Sequence, residues 1–413
     1  MSGVRTLLLV VIGMATTACA PRSPLDSGEP IAAGPIDPIA DDTVPQYRLD
    51  PTHHGRAPAG SAIDPVTAVV AWKSPALGIG DYRASKSSPA VDSERVFIGA
   101  DDGRLHALDR GSGAVLWSFE THRFATEIAY AGSDHRGIHG TPAFDEGCVY
   151  IGDYDGWLYA LDKRSGQPKW SVRLGDHIGA SPVLYRGYLF IAVEFDDPDG
   201  QVFVIRTDNG QVAYASPRLG EHAHASVTID PQRGLMLVGA NNGQLNGFDF
   251  VQRRSAWRFA ALAAIKSTAA LSGDTVFITA WDFQLHALAV DSGVERFSFA
   301  CRNMSMSSPS VWNDRVYFGC HDKKVYCVDG QGGALLWSFT TEGAVISSPT
   351  VVADSGLLAV GSRDGRLYLL DLLDGSLAGS FELEQPVTSV PVVVGSSLFV
   401  NDNAGIVWRF DTL

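Results

Sequence analysis

One unit recurs along this chain at a spacing that few architectures use. It runs from Ser88-Pro89 to Trp117 (SPAVDSERVFIGADDGRLHALDRGSGAVLW), from Thr141-Pro142 to Trp170 (TPAFDEGCVYIGDYDGWLYALDKRSGQPKW) and from Ser308-Pro309 to Trp337 (SPSVWNDRVYFGCHDKKVYCVDGQGGALLW). Looser copies open at Ser181, Ser226, Thr268, Ser348 and Val390, so successive openings lie 53, 40, 45, 42, 40, 40 and 42 residues apart. Within a copy, runs such as VFIGA and RLHAL flank an Asp-Gly pair, whose backbone accepts the positive φ of a tight hairpin. Four short strands per copy at this period predict an all-β propeller, because one small sheet cannot bury its faces without neighbours.

Seven copies supply four strands each, and the last, Pro391 to Leu413, supplies three. A missing outer strand would leave an open row of backbone groups. Val69 to Lys73 reads as that strand and precedes the first copy. The expected architecture is therefore an eight-bladed β-propeller of four-stranded antiparallel blades, closed by an N-terminal strand that completes the last blade. In the pattern Ala-x-Asp-x-x-x-Gly-x-x-x-Trp, Asp109 and Asp162 begin the turn between strands C and D. Gly113 and Gly166 give it a left-handed residue, and Trp117 and Trp170 pack between blades. These residues resemble the pyrroloquinoline-quinone-type propeller repeat with its tryptophan-docking motif, over residues 69–413. Tyr214, Phe297 and Gly379 stand where that motif has Trp.

Residues 1–19 read as a signal peptide: Arg5, then an apolar run from Leu7 to Met14, then small residues to Ala18-Cys19. That run is too short to span a bilayer. Cys19 resembles the lipidated cysteine of bacterial lipoproteins, with Thr16 where those have Leu; ordinary cleavage near Ala20 is the alternative. By the same resemblance, Ala20 implies an outer-membrane anchor. Residues 20–47, rich in Pro, Gly, Ala and Asp, form a tether, and residues 48–413 the propeller. No transmembrane helix is expected in the mature chain, and the propeller is expected to be a monomer. The 32 basic against 46 acidic residues argue against nucleic acid as a partner. Four further cysteines are spread through the blades. A two-residue turn sets Cys327 opposite Phe318, making Cys320 and Cys327 diagonal neighbours on one face, either two core thiols or a bridge.

The chain lacks the adjacent cysteine pair that the resemblance associates with quinone-dependent dehydrogenases, so pyrroloquinoline quinone is not expected as a cofactor. It also lacks a haem Cys-x-x-Cys-His, a nucleophile elbow and a phosphate-cradling loop. The acidic stretch Glu194 to Gly200 lacks calcium-loop spacing and reads as an enlarged, solvated hairpin. Histidines offer the one concentration of chemistry. Six of the eleven fall in three successive connections from strand D to strand A: His122, His135, His139, His177, His222 and His224. Such connections share one face of a propeller with the B–C hairpins. Counting two residues back from each opening gives a mouth ring of Lys86, His139, Gly179, His224, Lys266, Met306, Ile346 and Thr388. His139, His177 and His224 are the candidate catalytic groups or ligands for zinc or copper, with Lys86, Lys266 and His222 as ligand-binding groups. The insertion from His122 to Ile138 could cover them.

Two functions fit. Signal peptide, lipid anchor, tether and propeller together resemble the outer-membrane assembly lipoproteins of the BamB family, which implies a periplasmic binding scaffold for envelope proteins. The alternative is a metal-dependent or quinone-like enzyme, or a binder of a small anionic ligand, using the histidine face. The segment Tyr47 to Arg56 (YRLDPTHHGR) resembles the lead-in of the wider quinone-like propellers.

Overall fold

Alternation of apolar and small residues, broken every few positions by a turn residue with positive φ, yields strands of two to eight residues throughout. The computed structural model describes residues 46–78, 87–121 and 137–412. Among these, the strands form eight separate four-stranded antiparallel sheets. Seven sheets are built from consecutive strands. The eighth joins Ala68–Lys73 to Val407–Thr412, Ser397–Asn401 and Val392–Val394, so the N-terminal strand closes the ring as expected. Innermost strands of neighbouring blades touch one another, including Ala90–Val91 of blade 1 with Val392–Val394 of blade 8. The core lies in the layers between blades, where apolar side chains of adjoining sheets are buried together. No helix among the described residues is long and apolar enough to cross a membrane. The signal peptide, Cys19, the tether up to residue 45, Lys86, His122 and His135 lie outside the described residues.

The recurring tryptophan and glycine are two halves of one joint. Trp72, Trp117, Trp170, Trp257 and Trp337 lie on Gly113, Gly166, Gly210, Gly293 and Gly375 of the following blade, where a Cβ would strike the indole. Four of these indoles also donate Nε1–H to a backbone carbonyl there, for example Trp72 to Arg110 at 3.0 Å and Trp257 to Val290 at 2.8 Å. The departures obey the same rule. Phe297 docks on Gly333. Tyr214 meets the guanidinium of Arg253, which holds φ 56° at the glycine position. Blade 8 takes its outer strand from the N-terminus and so has no C–D turn to receive an indole. At Gly379 of blade 7 the space is filled by Pro65.

The blade-opening hydroxyls have an equally definite role. Each accepts the backbone N–H of the preceding blade's opening residue: Ser88 N to Thr141, Thr141 to Ser181, Ser181 to Ser226, Ser226 to Thr268, Thr268 to Ser308 and Ser308 to Ser348, all at 2.9–3.1 Å. Val390 N then donates to Ser88 Oγ at 2.9 Å, carrying the belt across the seam. Its one gap is at Ser348, because Val390 has no hydroxyl to offer.

Residues 46–57 run around the inside of the ring along blades 3 to 7. Carbonyls of Pro51, Thr52, His54 and Gly55 accept the inward N–H groups of Ile229, Leu271, Val311 and Val351, and the Gln46 side chain accepts that of Leu184. These are the free edges of the innermost strands, so the segment satisfies donors that a bare channel would leave to water. Arg48 is buried and donates to the carbonyls of Ser308 and Pro309 and to Ser310 Oγ. Gly55 holds φ 69°, and a Cβ there would collide with the Arg48 guanidinium and Ser310. Gln46 and Tyr47, assigned to the tether by composition, already belong to this packing.

The cysteine expectation needs correction. Cys320 pairs with Lys324 and Cys327 with Tyr317, one residue away from the expected register. The turn has three residues, with Lys323 at φ 69° where blades 1, 2, 4, 7 and 8 have Gly. Cys320 and Cys327 therefore point to opposite faces, and both are free thiols. Cys320 instead neighbours Cys301; both sulfurs lie near the Asn303 carbonyl, at 3.3 and 3.1 Å.

Candidate functional site

The face carrying the D–A connections and B–C hairpins gathers the histidines of blades 2 to 4 into one arc. It begins at His139, buried against the Tyr154 ring with centroids 4.7 Å apart. His177 stacks on the same tyrosine at 4.9 Å and donates Nδ1–H to its carbonyl at 2.9 Å. Its Nε2 lies 3.2 Å from Asp196.

The arc continues through a residue that the sequence reading assigned to solvent. Strand B of blade 3, Tyr188–Phe195, is eight residues long, against five or six for strand B in the other blades. Its extra length is paired, because Glu194 and His177 exchange backbone hydrogen bonds of 3.1 and 2.9 Å. That ladder turns the Glu194 side chain inward, and the residue is only 1% exposed. Gly179, the mouth-ring position of blade 3, leaves room there: a Cβ would lie 3.7 Å from Glu194 Oε1 and 3.1 Å from the Tyr154 ring.

His224, the mouth-ring residue of blade 4, places Nδ1 2.8 Å from Glu194 Oε1. His222 lies beside it, with ring centroids 6.3 Å apart. Its Nε2 donates to the Phe195 carbonyl at 2.9 Å, so in the neutral ring Nδ1 keeps the lone pair. Burial pushes the Glu194 carboxyl up, but the close His224 imidazole and the charges of His222 and His177 outweigh it and hold the group below the usual range. A buried acid is thus kept ionised beside three imidazoles.

The expected trio of His139, His177 and His224 is divided. Within the described residues, the donor atoms that approach one another as a metal-ligand group are those of Glu194, His222 and His224, while His139 and His177 rest on Tyr154. Lys266, the next mouth position, lies over the Trp281 ring at 4.4 Å. Glu194 was missed because acidic neighbours masked it. The available signal was phase, since Phe190, Ala192 and Glu194 share one side of the strand.

A profile of the family described as "Outer membrane protein assembly factor BamB" matches residues 61–293, 241–342 and 321–413, which together take in every blade. The chain belongs to the BamB family. Among its relatives, the assembly factor BamB of Xanthomonas campestris pv. campestris is 23% identical over 264 residues. The match spans 61% of this chain and 63% of that protein, short of two thirds of its length. The crystal structure of BamB from Moraxella catarrhalis superposes with a TM-score of 0.65 at 17% identity, over 83% of this chain and 97% of that one. The quinohemoprotein alcohol dehydrogenase of Comamonas testosteroni gives 0.75 at 13% identity, over 90% and 80%. At such identities these structures share the propeller fold. Within this BamB-family propeller, residues 46–57 line the channel on the side of blades 3 to 7 and leave a space toward Ser88, Pro89, Thr141 and Val390, and the histidine arc lies at the face where the innermost strands begin.

Proposed function

We propose that this chain is a periplasmic scaffold in the assembly of outer-membrane proteins, held at the outer membrane by a lipid on Cys19. The observation that carries the reading is the family match across all blades. The role by which these relatives are named, outer membrane protein assembly, comes to this chain through that match. The fold suits a binding role: a ring closed by an N-terminal strand presents loops and outer strand edges to partners. Exposed apolar residues at the outer strands, including Val69, Val70, Leu116, Leu335 and Leu336, offer contact surface to an envelope protein.

The test is affinity capture of the tagged chain from detergent-solubilised envelopes, with a Cys19→Ser variant beside the wild type. Co-purification of a β-barrel insertase complex is expected, and washed membranes should retain the wild type and release Cys19→Ser. Capture of no insertase component in the native host would overturn the scaffold reading. Membrane retention of Cys19→Ser equal to wild type would overturn the anchor.

A further inference from the structure

We propose that Glu194, His222 and His224 form a binding site for one divalent transition-metal ion of the zinc class, at the propeller mouth between blades 3 and 4. One donor atom from each residue lies within 4.8 Å of the other two. Two imidazoles and a carboxylate are a set that holds zinc and leaves a further coordination position open. The inference concerns the chain's own chemistry and is independent of the scaffold reading.

Two of the three donors are held by contacts away from the site. His222 gives its Nε2–H to the Phe195 carbonyl, which fixes the ring and directs the Nδ1 lone pair elsewhere. Glu194 is fixed through its backbone by the pairing with His177. Its Oε1 is buried, and its close neighbour is His224 Nδ1 at 2.8 Å. Zinc ligands about 2.0 Å from a shared ion sit about 3.3 Å apart in a tetrahedral arrangement, so a small opening of this pair admits the ion. A buried carboxylate stripped of water needs a positive partner, and a divalent ion meets that need. Gly179 places no side chain beside Glu194 Oε1, where a Cβ would lie 3.7 Å from it. Water, or a carboxylate from another chain, can fill the remaining position.

Calorimetry on metal-stripped full-length protein with zinc chloride decides the matter, with visible absorption of the cobalt(II) form as a second readout. The expected result is one equivalent bound at micromolar affinity or tighter, with cobalt bands of four- or five-coordinate intensity. Glu194→Gln, His222→Ala and His224→Ala should each weaken zinc by about tenfold or more, while His139→Ala and His321→Ala change it by less than about twofold. Circular dichroism and melting confirm that each variant is folded. Only millimolar affinity in the wild type, equal loss in all five variants, or a loss in His139→Ala as large as in His224→Ala would overturn the three-donor site.

Discussion

The hydroxyl at each blade opening carries structural weight that its small size hides. Ser226 Oγ accepts the buried N–H of Ser181, so Ser226→Ala leaves that donor without its partner. The expected loss is about 1–3 kcal/mol of stability, read from denaturant unfolding, with Ser226→Thr close to wild type. The gap at Val390 predicts the opposite sign. Val390→Thr supplies an acceptor for Ser348 N–H at nearly constant volume and should add about 0.5–1.5 kcal/mol. A loss of stability in that variant would mean that the belt cannot be completed there. His286 gives a pH signature. Burial pushes its imidazole down, but hydrogen bonds to Asp282 at 3.0 Å and Glu295 at 2.6 Å prevail and raise it. A raised folded-state pKa stabilises fully below the ordinary value of about 6.5, and the gain is lost as pH rises through the folded-state value. The melting gap between wild type and His286→Gln should therefore be widest near pH 6 and narrow toward pH 9. The depressed Asp282 carboxyl titrates below that window. A gap that widens with pH would refute the assignment.

At the level of strands and turns, legibility followed locality. The repeat, the hairpins and the Trp–Gly joint were readable because each is written within one blade or between two neighbours. The missing strand of blade 8 was readable because an incomplete sheet demands one, and Ala68–Lys73 supplies it. Turn length was harder to read. A left-handed Lys323 replaces glycine in blade 6, so the cysteine register slipped by one and the two thiols changed faces. Phe283 takes the same left-handed position in blade 5, at φ 70°. Glu194 escaped because its strand is lengthened by pairing with a connection from another blade, which no local pattern encodes. The channel-lining segment escaped for a related reason. Its carbonyls serve N–H groups on four blades, and YRLDPTHHGR carries no periodicity that announces this. Among the described residues His139, His177, His222 and His224 follow one arc, but which of them meet depends on Tyr154 and Gly179, residues without a chemical motif of their own.

For the ring as a whole, the N-terminal 75 residues contain two separable supports. Removing residues 1–45 leaves both in place, and the melting temperature should stay within a few degrees of wild type. Removal through residue 62 strips the channel segment and orphans inward donors of blades 3 to 7. Removal through residue 75 also takes Trp72 and the outer strand of blade 8. Stability should fall stepwise across the three truncations, with the last exposing an apolar edge. Equal melting temperatures for the first and third would refute closure by this strand. The seam has a further consequence, in time rather than in space. Ser74 Oγ accepts the N–H of Val407 across a separation of 333 residues, whereas most blade pairings close within a few dozen. Contacts so distant along the chain are slow to form, since the ends of a long loop must first be brought together. Strand Ala68–Lys73 leaves the ribosome before all the other strands of the ring, and its partner Val407–Thr412 after them. Blades can form in order behind it, but the circle waits for the final strand, and until then one unpaired edge stays available to other chains.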